Sequence, residues 1–252
     1  MKKTQIIILA AGKGTRMKSN EPKALTPLNG KCFLERILNT IKEIKLDIHP
    51  IIVIGHQKEK IIERFGTKNI FAIQKEQLGT GHAVLSAQNK ISPKSEALLI
   101  LSVDQPLVSG KTIKALLKIH FKENSTITMA SLSVPDFKEW RKRLKYFGRI
   151  KRDKDEKIEK IIEYKDATKK ERSIKELNPA VYVFNPRWLR KNISLLKNKN
   201  QNKEYYLTDL IQIAKDQGKK IESKSLSNLI EGLQPNTKEE VAVLEKILEK
   251  KL

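Results

Sequence analysis

The sequence predicts an α/β fold, doubly wound around a mostly parallel sheet, and three observations carry that prediction. Short apolar runs alternate with segments of helical period through the first half of the 252 residues, the pattern left by successive βαβ units. The runs Ile6 to Leu9 and Ala97 to Leu101 are continuously apolar and read as buried strands. Three polar or glycine-rich stretches, Ala10 to Met17, Gln74 to Thr80 and the one holding Asp104, each follow a strand. In an open parallel sheet they therefore share the carboxyl edge, where ligands bind.

The first strand, Ile6 to Leu9, runs into A-A-G-K-G-T-R-M, Ala10 to Met17, and then Pro22-Lys23. Gly12 and Gly14 can take backbone angles closed to other residues and let a ligand approach the main chain, so that successive N–H groups turn toward an anion. Lys13, Arg16 and Lys23 surround that concavity with positive charge. The spacing is neither G-x-x-x-x-G-K-[ST] nor G-x-G-x-x-G, and an ordinary glycine-rich turn among surface cations is the plain alternative. A helix follows over Phe33 to Ile44, with Leu34, Ile37, Leu38, Ile41 and Ile44 on one face. Ile51 to Ile54 is the second strand, closed by Gly55-His56. A helix over Lys58 to Phe65 leads to a short strand, Ile70 to Ile73. Gln77 to Ala83 (Q-L-G-T-G-H-A) then breaks the pattern and opens a helix over Thr80 to Asn89, within which His82 reads as packing or capping. The strand Ala97 to Leu101 ends in Ser102-Val103-Asp104-Gln105-Pro106.

In the second half a helix over Ser109 to Phe121 and a strand over Thr126 to Ser133 precede a charged, irregular segment, Val134 to Lys145. Two alternating runs, Arg149 to Arg152 and Ile158 to Ile162, flank Asp153-Lys154-Asp155-Glu156 and read as a hairpin. Ala180 to Phe184 is a strand, Trp188 to Leu196 and Tyr206 to Ala214 are helices, and Thr237 to Leu252 is a closing helix. The expectation is a single domain, with residues 1–133 as a first half, 134–235 as a second and 236–252 as the closing helix.

The formal net charge of +22, from 51 Lys and Arg against 29 Asp and Glu, attracts polyanions. With 6% aromatic residues, stacking platforms for nucleic acid are few, and the lysines are spread along the chain. Phosphorylated small molecules are the expected partners, with no nucleic acid and no membrane. Behind Met1-Lys2-Lys3 there is only a short apolar run with no small-residue cleavage site, and no stretch has bilayer length. A soluble, cytoplasmic protein is expected. The one cysteine, Cys32, excludes an internal disulfide and reads as a structural thiol.

Taken together, L-A-A-G-K-G-T-R-M with Pro22-Lys23, Q-L-G-T-G-H-A from Gln77, D-x-P-L from Asp104, G-R-I from Gly148, E-Y-K-D-A-T from Glu163 and E-Y-Y-L-T-D from Glu204 resemble the nucleotidyltransferase domain of the bifunctional N-acetylglucosamine-1-phosphate uridyltransferase family. The resemblance covers almost the whole chain, while the family's left-handed β-helix acetyltransferase domain has no counterpart in it. It implies a Rossmann-like sheet of the nucleotide-diphospho-sugar transferase type with a small β-rich sugar-binding insertion, and a monomer or weak homo-oligomer. The implied reaction is Mg²⁺-dependent transfer of a uridylyl group from UTP to N-acetylglucosamine 1-phosphate, giving UDP-N-acetylglucosamine and pyrophosphate.

The resemblance also implies roles. Leu9, Ala10, Ala11, Gly12 and Gly14 hold the nucleotide, with Arg16 on the leaving pyrophosphate and Lys23 on the α-phosphate. Gln74 and Gly79 read the uracil edge beside Thr80. Asp104 and Asn236 ligate Mg²⁺, and Gly148, Glu163 and Asn178 hold the amino sugar. Plainer readings stand beside these: a surface lysine for Lys23, a helix cap for Asp104, turn or sheet-edge polars for Glu163 and Asn178, and an N-cap for Asn236. The chain departs from the family at Ser102-Val103, where Tyr-Gly is usual, and at Pro179-Ala180, where a small residue and glycine are usual. Both departures fall on the sugar side, and D-Q-P-L also resembles the cytidylyl- and guanylyltransferases of molybdenum cofactor synthesis. A different sugar phosphate, or a molybdopterin-type acceptor with CTP or GTP, is the alternative.

Overall fold

The computed structural model describes residues 3–46, 48–66 and 69–249. Its first half runs β1 (Thr4–Leu9), β2 (Pro27–Leu28), β3 (Lys31–Cys32), α1 (Phe33–Ile44), β4 (Ile51–Ile54), α2 (Lys58–Phe65), β5 (Ile70–Ile73), α3 (Thr80–Ala87), β6 (Ala97–Ser102) and α4 (Gly110–Lys122). The second runs β7 (Ile127–Ser133), β8 (Gly148–Arg152), β9 (Ile158–Ile162), β10 (Glu176–Asn178), β11 (Tyr182–Phe184), α5 (Pro186–Asn192), α6 (Asp209–Asp216), β12 (Ile221–Ser225) and α7 (Lys238–Glu249).

The strands lie in the order β5-β4-β1-β6-β11-β7-β10-β8-β9, with β12 also paired to β7. β5, β4, β1 and β6 are mutually parallel, as is β12 with β7, whereas β11 runs antiparallel between β6 and β7. The central sheet is thus mostly parallel with helices packed on it, and β10, β8 and β9 extend it as an antiparallel flap. Residues 6–8, 51–54 and 98–101 are buried. That double-sided burial is why these runs are apolar without alternation. The carboxyl ends of β1, β5 and β6 share one edge, as expected.

Several boundaries move, each for a local reason. Asn185 caps α5 by accepting from the N–H groups of Arg187 and Trp188, and Pro186 takes the first turn. The helix therefore starts before Trp188 and tightens to a 3₁₀ turn at Ile193–Leu195. α3 likewise tightens after Ala87, α6 begins at Asp209, and residues 250–252 of the closing helix lie outside the described residues. The segment read as irregular, Val134 to Lys145, turns into a 3₁₀ helix at Glu139 that runs on to Tyr146. Cys32 is buried, and burial pushes its thiol up.

The strand read as Ala180 to Phe184 begins only at Tyr182. β10 and β11 both pair with β7, at Leu132–Ser133 and at Ile127–Met129, and residues 179–181 step between them. Ala180 carries that step in the left-handed region, at φ 59°. An alanine there stores about 1 kcal/mol of strain, partly offset on going to glycine by glycine's freer unfolded chain. Ala180→Gly is expected to raise stability by less than about 1 kcal/mol, read as a higher denaturant midpoint. A lower midpoint would show that the methyl's packing outweighs the strain.

Candidate active site

The loop after β1 is fixed at its root by the Ala10 N–H on Val53 O at 2.8 Å. At Gly14, φ 59°, an added Cβ would sit 2.9 Å from the Cβ of Lys23, so the loop lies directly on Lys23. Leu9, Ala11, Gly12, Gly14, Lys23, Gln74, Gly79 and Thr80, all expected in nucleotide binding, line a cavity of about 500 Å³. Ala10 is buried and is not among the lining residues. Around Gly12 an added Cβ would meet nothing within 4 Å.

Two motifs far apart in sequence prove to be one piece of structure. The Gly81 N–H donates to Tyr205 O and the Tyr205 N–H to Leu78 O, both at 2.8 Å, and Leu207 N–H donates to Thr80 Oγ1 at 3.0 Å. Gly79 sits at φ 104°, and a Cβ there would lie 2.7 Å from Tyr205 O. Q-L-G-T-G-H-A therefore needs its glycines because the E-Y-Y-L-T-D backbone crosses them at contact distance. Gln74, buried at this crossing, points its Nε2 to Gly79 O and to His82 Nδ1, each at 3.1 Å. Gly79 O can only accept, so the amide nitrogen is committed inward. The side-chain oxygen of Gln74 is then the atom available to a base edge. His82, read from sequence as internal to its helix, is in fact a partner of the residue expected to read the base.

Where β1 and β6 end, four expected residues converge. Lys23 Nζ donates to Asp104 Oδ2 at 2.8 Å and to Asn236 Oδ1 at 2.6 Å, and Arg16 donates to the same Asn236 oxygen at 2.9 Å. Burial drives the Asp104 carboxyl upward, but the Lys23 ammonium and the Ser102 hydroxyl outweigh it and hold the group below the usual carboxylate range. Its Oδ1 is buried without a partner. The capping alternative for Asn236 does not apply: Thr237 Oγ1 takes the Glu240 N–H, while Glu240 Oε2 accepts from the Asn236 N–H. That is a variant of the capping box with Thr237 as the cap, and it leaves the Asn236 side chain turned into the site.

A second cavity, about 450 Å³, opens on the other side of the same residues. It holds the three expected sugar contacts, Gly148, Glu163 and Asn178, with Ser102, Tyr146, Ala180, Tyr182, Thr208, Arg143 and Glu240 around them. Burial lifts the Glu163 carboxyl to about 7, with Asp166, Asp209 and Glu204 adding to the shift against a hydroxyl donor from Thr208. Asn178 Oδ1 accepts from Tyr182 Oη at 2.8 Å and from the Ala180 N–H at 3.0 Å, so its NH₂ is the group left for a ligand. Arg149, completely buried, donates to the carbonyls of Phe147, Lys145 and Arg172 between the rings of Phe137 and Tyr164. It fixes the cavity wall from behind. Leu9, Arg16, Thr80, Ser102, Asp104 and Asn236 line both cavities, so the two meet along one seam.

A glycine-rich anion loop on a parallel sheet edge, with a lysine-paired carboxylate shared by two adjoining cavities, fits a nucleotidyltransferase. The chain belongs to the MobA-like NTP transferase domain family, whose sequence model matches residues 6–202. The bifunctional protein GlmU of Lactococcus lactis subsp. lactis is 36% identical over 246 residues, covering 98% of this chain and 52% of that protein. GlmU of Listeria monocytogenes serotype 4a is 35% identical over all 252 residues, with 53% of its own length covered. The chain thus spans about half the length of these curated relatives. Among solved structures, a UDP-glucose pyrophosphorylase complexed with UDP-glucose superposes with a TM-score of 0.78 at 18% identity over 99% of both chains. A 4-diphosphocytidyl-2C-methyl-D-erythritol synthase from Anaerococcus prevotii superposes at 0.64, with 16% identity over 98% of each. Both share the fold. Among the described residues no helix is long and apolar enough to cross a membrane.

Proposed function

We propose that this nucleotidyltransferase moves a uridylyl group from UTP to N-acetylglucosamine 1-phosphate, releasing pyrophosphate. The observation that carries the reading is the seam: the cavity lined by the glycine-rich loop and the cavity lined by Gly148, Glu163 and Asn178 meet at Asp104 and Asn236, which Lys23 bridges. The acceptor phosphate reaches the α-phosphorus from the second cavity while pyrophosphate departs into the first, so positioning and charge neutralisation suffice without a protein nucleophile. Residues 1–133 supply most of the nucleotide cavity and 134–235 most of the acceptor cavity, and Asn236, just ahead of α7, reaches the seam between them.

For the base, Gln74 presents an oxygen. Uracil offers an N–H donor at N3, whereas cytosine has an acceptor there, so the committed amide supports UTP over CTP. For the cation, the unpartnered Asp104 Oδ1 and the Asn236 amide oxygen are hard oxygen donors and fit Mg²⁺, which keeps several waters and shares substrate phosphates. When bound, the ion neutralises charge on the triphosphate. Lys23 then leaves its bridge between Asp104 and Asn236 for the α-phosphate, and Arg16 stabilises the departing pyrophosphate.

The test is pyrophosphate release by the purified chain with Mg²⁺, each of the four NTPs and a panel of sugar 1-phosphates. UTP with N-acetylglucosamine 1-phosphate is expected to be the best pair; turnover with CTP or GTP but not UTP would refute the base assignment. Glu163 gives a pH signature. Its carboxyl is neutral below about 7 and ionised above, and the ionised form is the stronger acceptor for a sugar hydroxyl. The acceptor kcat/KM of the wild type relative to Glu163→Gln is expected to rise through neutral pH, a ratio that cancels titration of the acceptor phosphate. The stability contribution runs oppositely: with a folded pKa above the unfolded value, it is present at low pH and lost as pH rises through about 7.

A further inference from the structure

The 3₁₀ helix Glu139–Tyr146 has no role in the chemistry described so far, yet two of its side chains face the acceptor cavity. Residues three apart in a 3₁₀ helix eclipse one another, and Arg143 and Tyr146, at that spacing, both line the cavity beside Glu163 and Asn236. Neither is buried. Tyr146 is 51% exposed, and the Arg143 side chain, 60% exposed, pairs with Glu240 at 2.9 Å. An exposed ion pair of this kind adds little to stability. The helix that carries them is nonetheless rigid. Leu144 is fully buried between them, the Arg149 guanidinium grips the Lys145 and Phe147 carbonyls, and Tyr146 meets the Tyr164 ring edge-on at 5.1 Å between centroids.

Arg143 is also close to the reacting centre. Its partner Glu240 accepts the Asn236 N–H at 2.8 Å through the other carboxylate oxygen, and Asn236 in turn holds Lys23 and Arg16. In the proposed reaction Lys23 and Arg16 are engaged with the nucleotide, so the dianionic acceptor phosphate needs a cation from its own side of the seam. Arg143 is the remaining cationic side chain in the lining of that cavity. We infer that Arg143 and Tyr146 form the acceptor's docking face, Arg143 exchanging Glu240 for the acceptor phosphate and Tyr146 stacking on the pyranose ring. The ligand class is a pyranose 1-phosphate. A guanidinium gives a forked contact to phosphate, and an aromatic face suits the apolar side of a sugar ring.

This inference rests on the proposed reaction, and its test separates the two. Arg143→Gln and Tyr146→Leu are surface changes that leave the fold in place. Lys142→Gln removes the same charge one residue away, from a side chain outside the acceptor cavity lining, and serves as the control. Arg143→Gln is expected to raise the KM for N-acetylglucosamine 1-phosphate about 10- to 100-fold and Tyr146→Leu about 3- to 10-fold. The KM for UTP stays unchanged, as do both constants in Lys142→Gln. In a working enzyme, unchanged acceptor KM in both variants, or a raised UTP KM in Arg143→Gln, overturns the docking face and leaves the reaction standing. Should the wild type turn over no sugar 1-phosphate but bind N-acetylglucosamine 1-phosphate calorimetrically in an Arg143-dependent way, the reaction falls and the docking face stands. Arg143-independent binding overturns the face.

Discussion

Lys23→Met is expected to lower kcat by on the order of a hundredfold to a thousandfold while raising the affinity of the nucleotide-free protein for Mn²⁺, used as a spectroscopic substitute for Mg²⁺. The two effects share one cause. The ammonium lies between Asp104 Oδ2 and Asn236 Oδ1, at 2.8 and 2.6 Å, where it neutralises the donors a divalent cation would use. Removing it deprives the α-phosphate of its cation and leaves Asp104 uncompensated in a largely buried setting. Breaking such a pair costs about 3 kcal/mol of stability, part of which bound Mn²⁺ restores. Titration followed by electron paramagnetic resonance should show at least about tenfold tighter binding, the equivalent of 1.4 kcal/mol, lost again in the Lys23→Met, Asp104→Asn double variant. Equal affinity in wild type and Lys23→Met would mean that Lys23 and the cation do not compete.

Gly79→Ala is expected to be among the most destabilising single changes in the chain, at about 3 kcal/mol or more. Its backbone, φ 104° and ψ 177°, is one that alanine rarely adopts, and the added methyl would lie 2.7 Å from Tyr205 O and 2.9 Å from Glu204 Cβ. The carbonyl cannot withdraw cheaply because it accepts the Gly81 N–H. Gly12→Ala is the contrast. Nothing in the protein lies within 4 Å of its added Cβ, so stability should change by less than about 0.5 kcal/mol, while the KM for UTP rises if the triphosphate occupies that space. Denaturant midpoints and UTP kinetics of the two variants separate a glycine kept for the fold from one kept for the ligand. Equal midpoints would contradict the assignment.

The difference between these glycines was not legible in the sequence, where both sit in glycine-rich runs. What was legible follows from local physics: buried parallel strands are continuously apolar, and the breaks after β1, β5 and β6 must fall on one edge. The junction was legible only as separate residues. Lys23 meets Asp104 across 81 positions and Asn236 across 213, and no periodicity encodes contacts of that range. Asn236 next to Thr237 could be read as a cap, since both side chains cap helices well; only the observed bond from the Glu240 N–H to Thr237 Oγ1 assigns that task to Thr237. Arg149 read as part of a G-R-I motif, with no sign that it is buried with carbonyl oxygens and aromatic rings as its partners. The 3₁₀ helix at Glu139–Tyr146 was hidden because its charged residues mask a short apolar pattern anchored by Leu144. Arg143 and Tyr146, three apart, were the available signal.

Direct transfer across the seam of the two cavities fixes the configuration at the transferred phosphorus. With UTP made chiral at the α-phosphorus by a single sulfur, the sugar nucleotide formed by the wild-type chain is predicted to be inverted, with one pyrophosphate released per product. A single in-line displacement inverts that centre. Retention would contradict direct transfer, because it would require two displacements through a nucleotidylated residue.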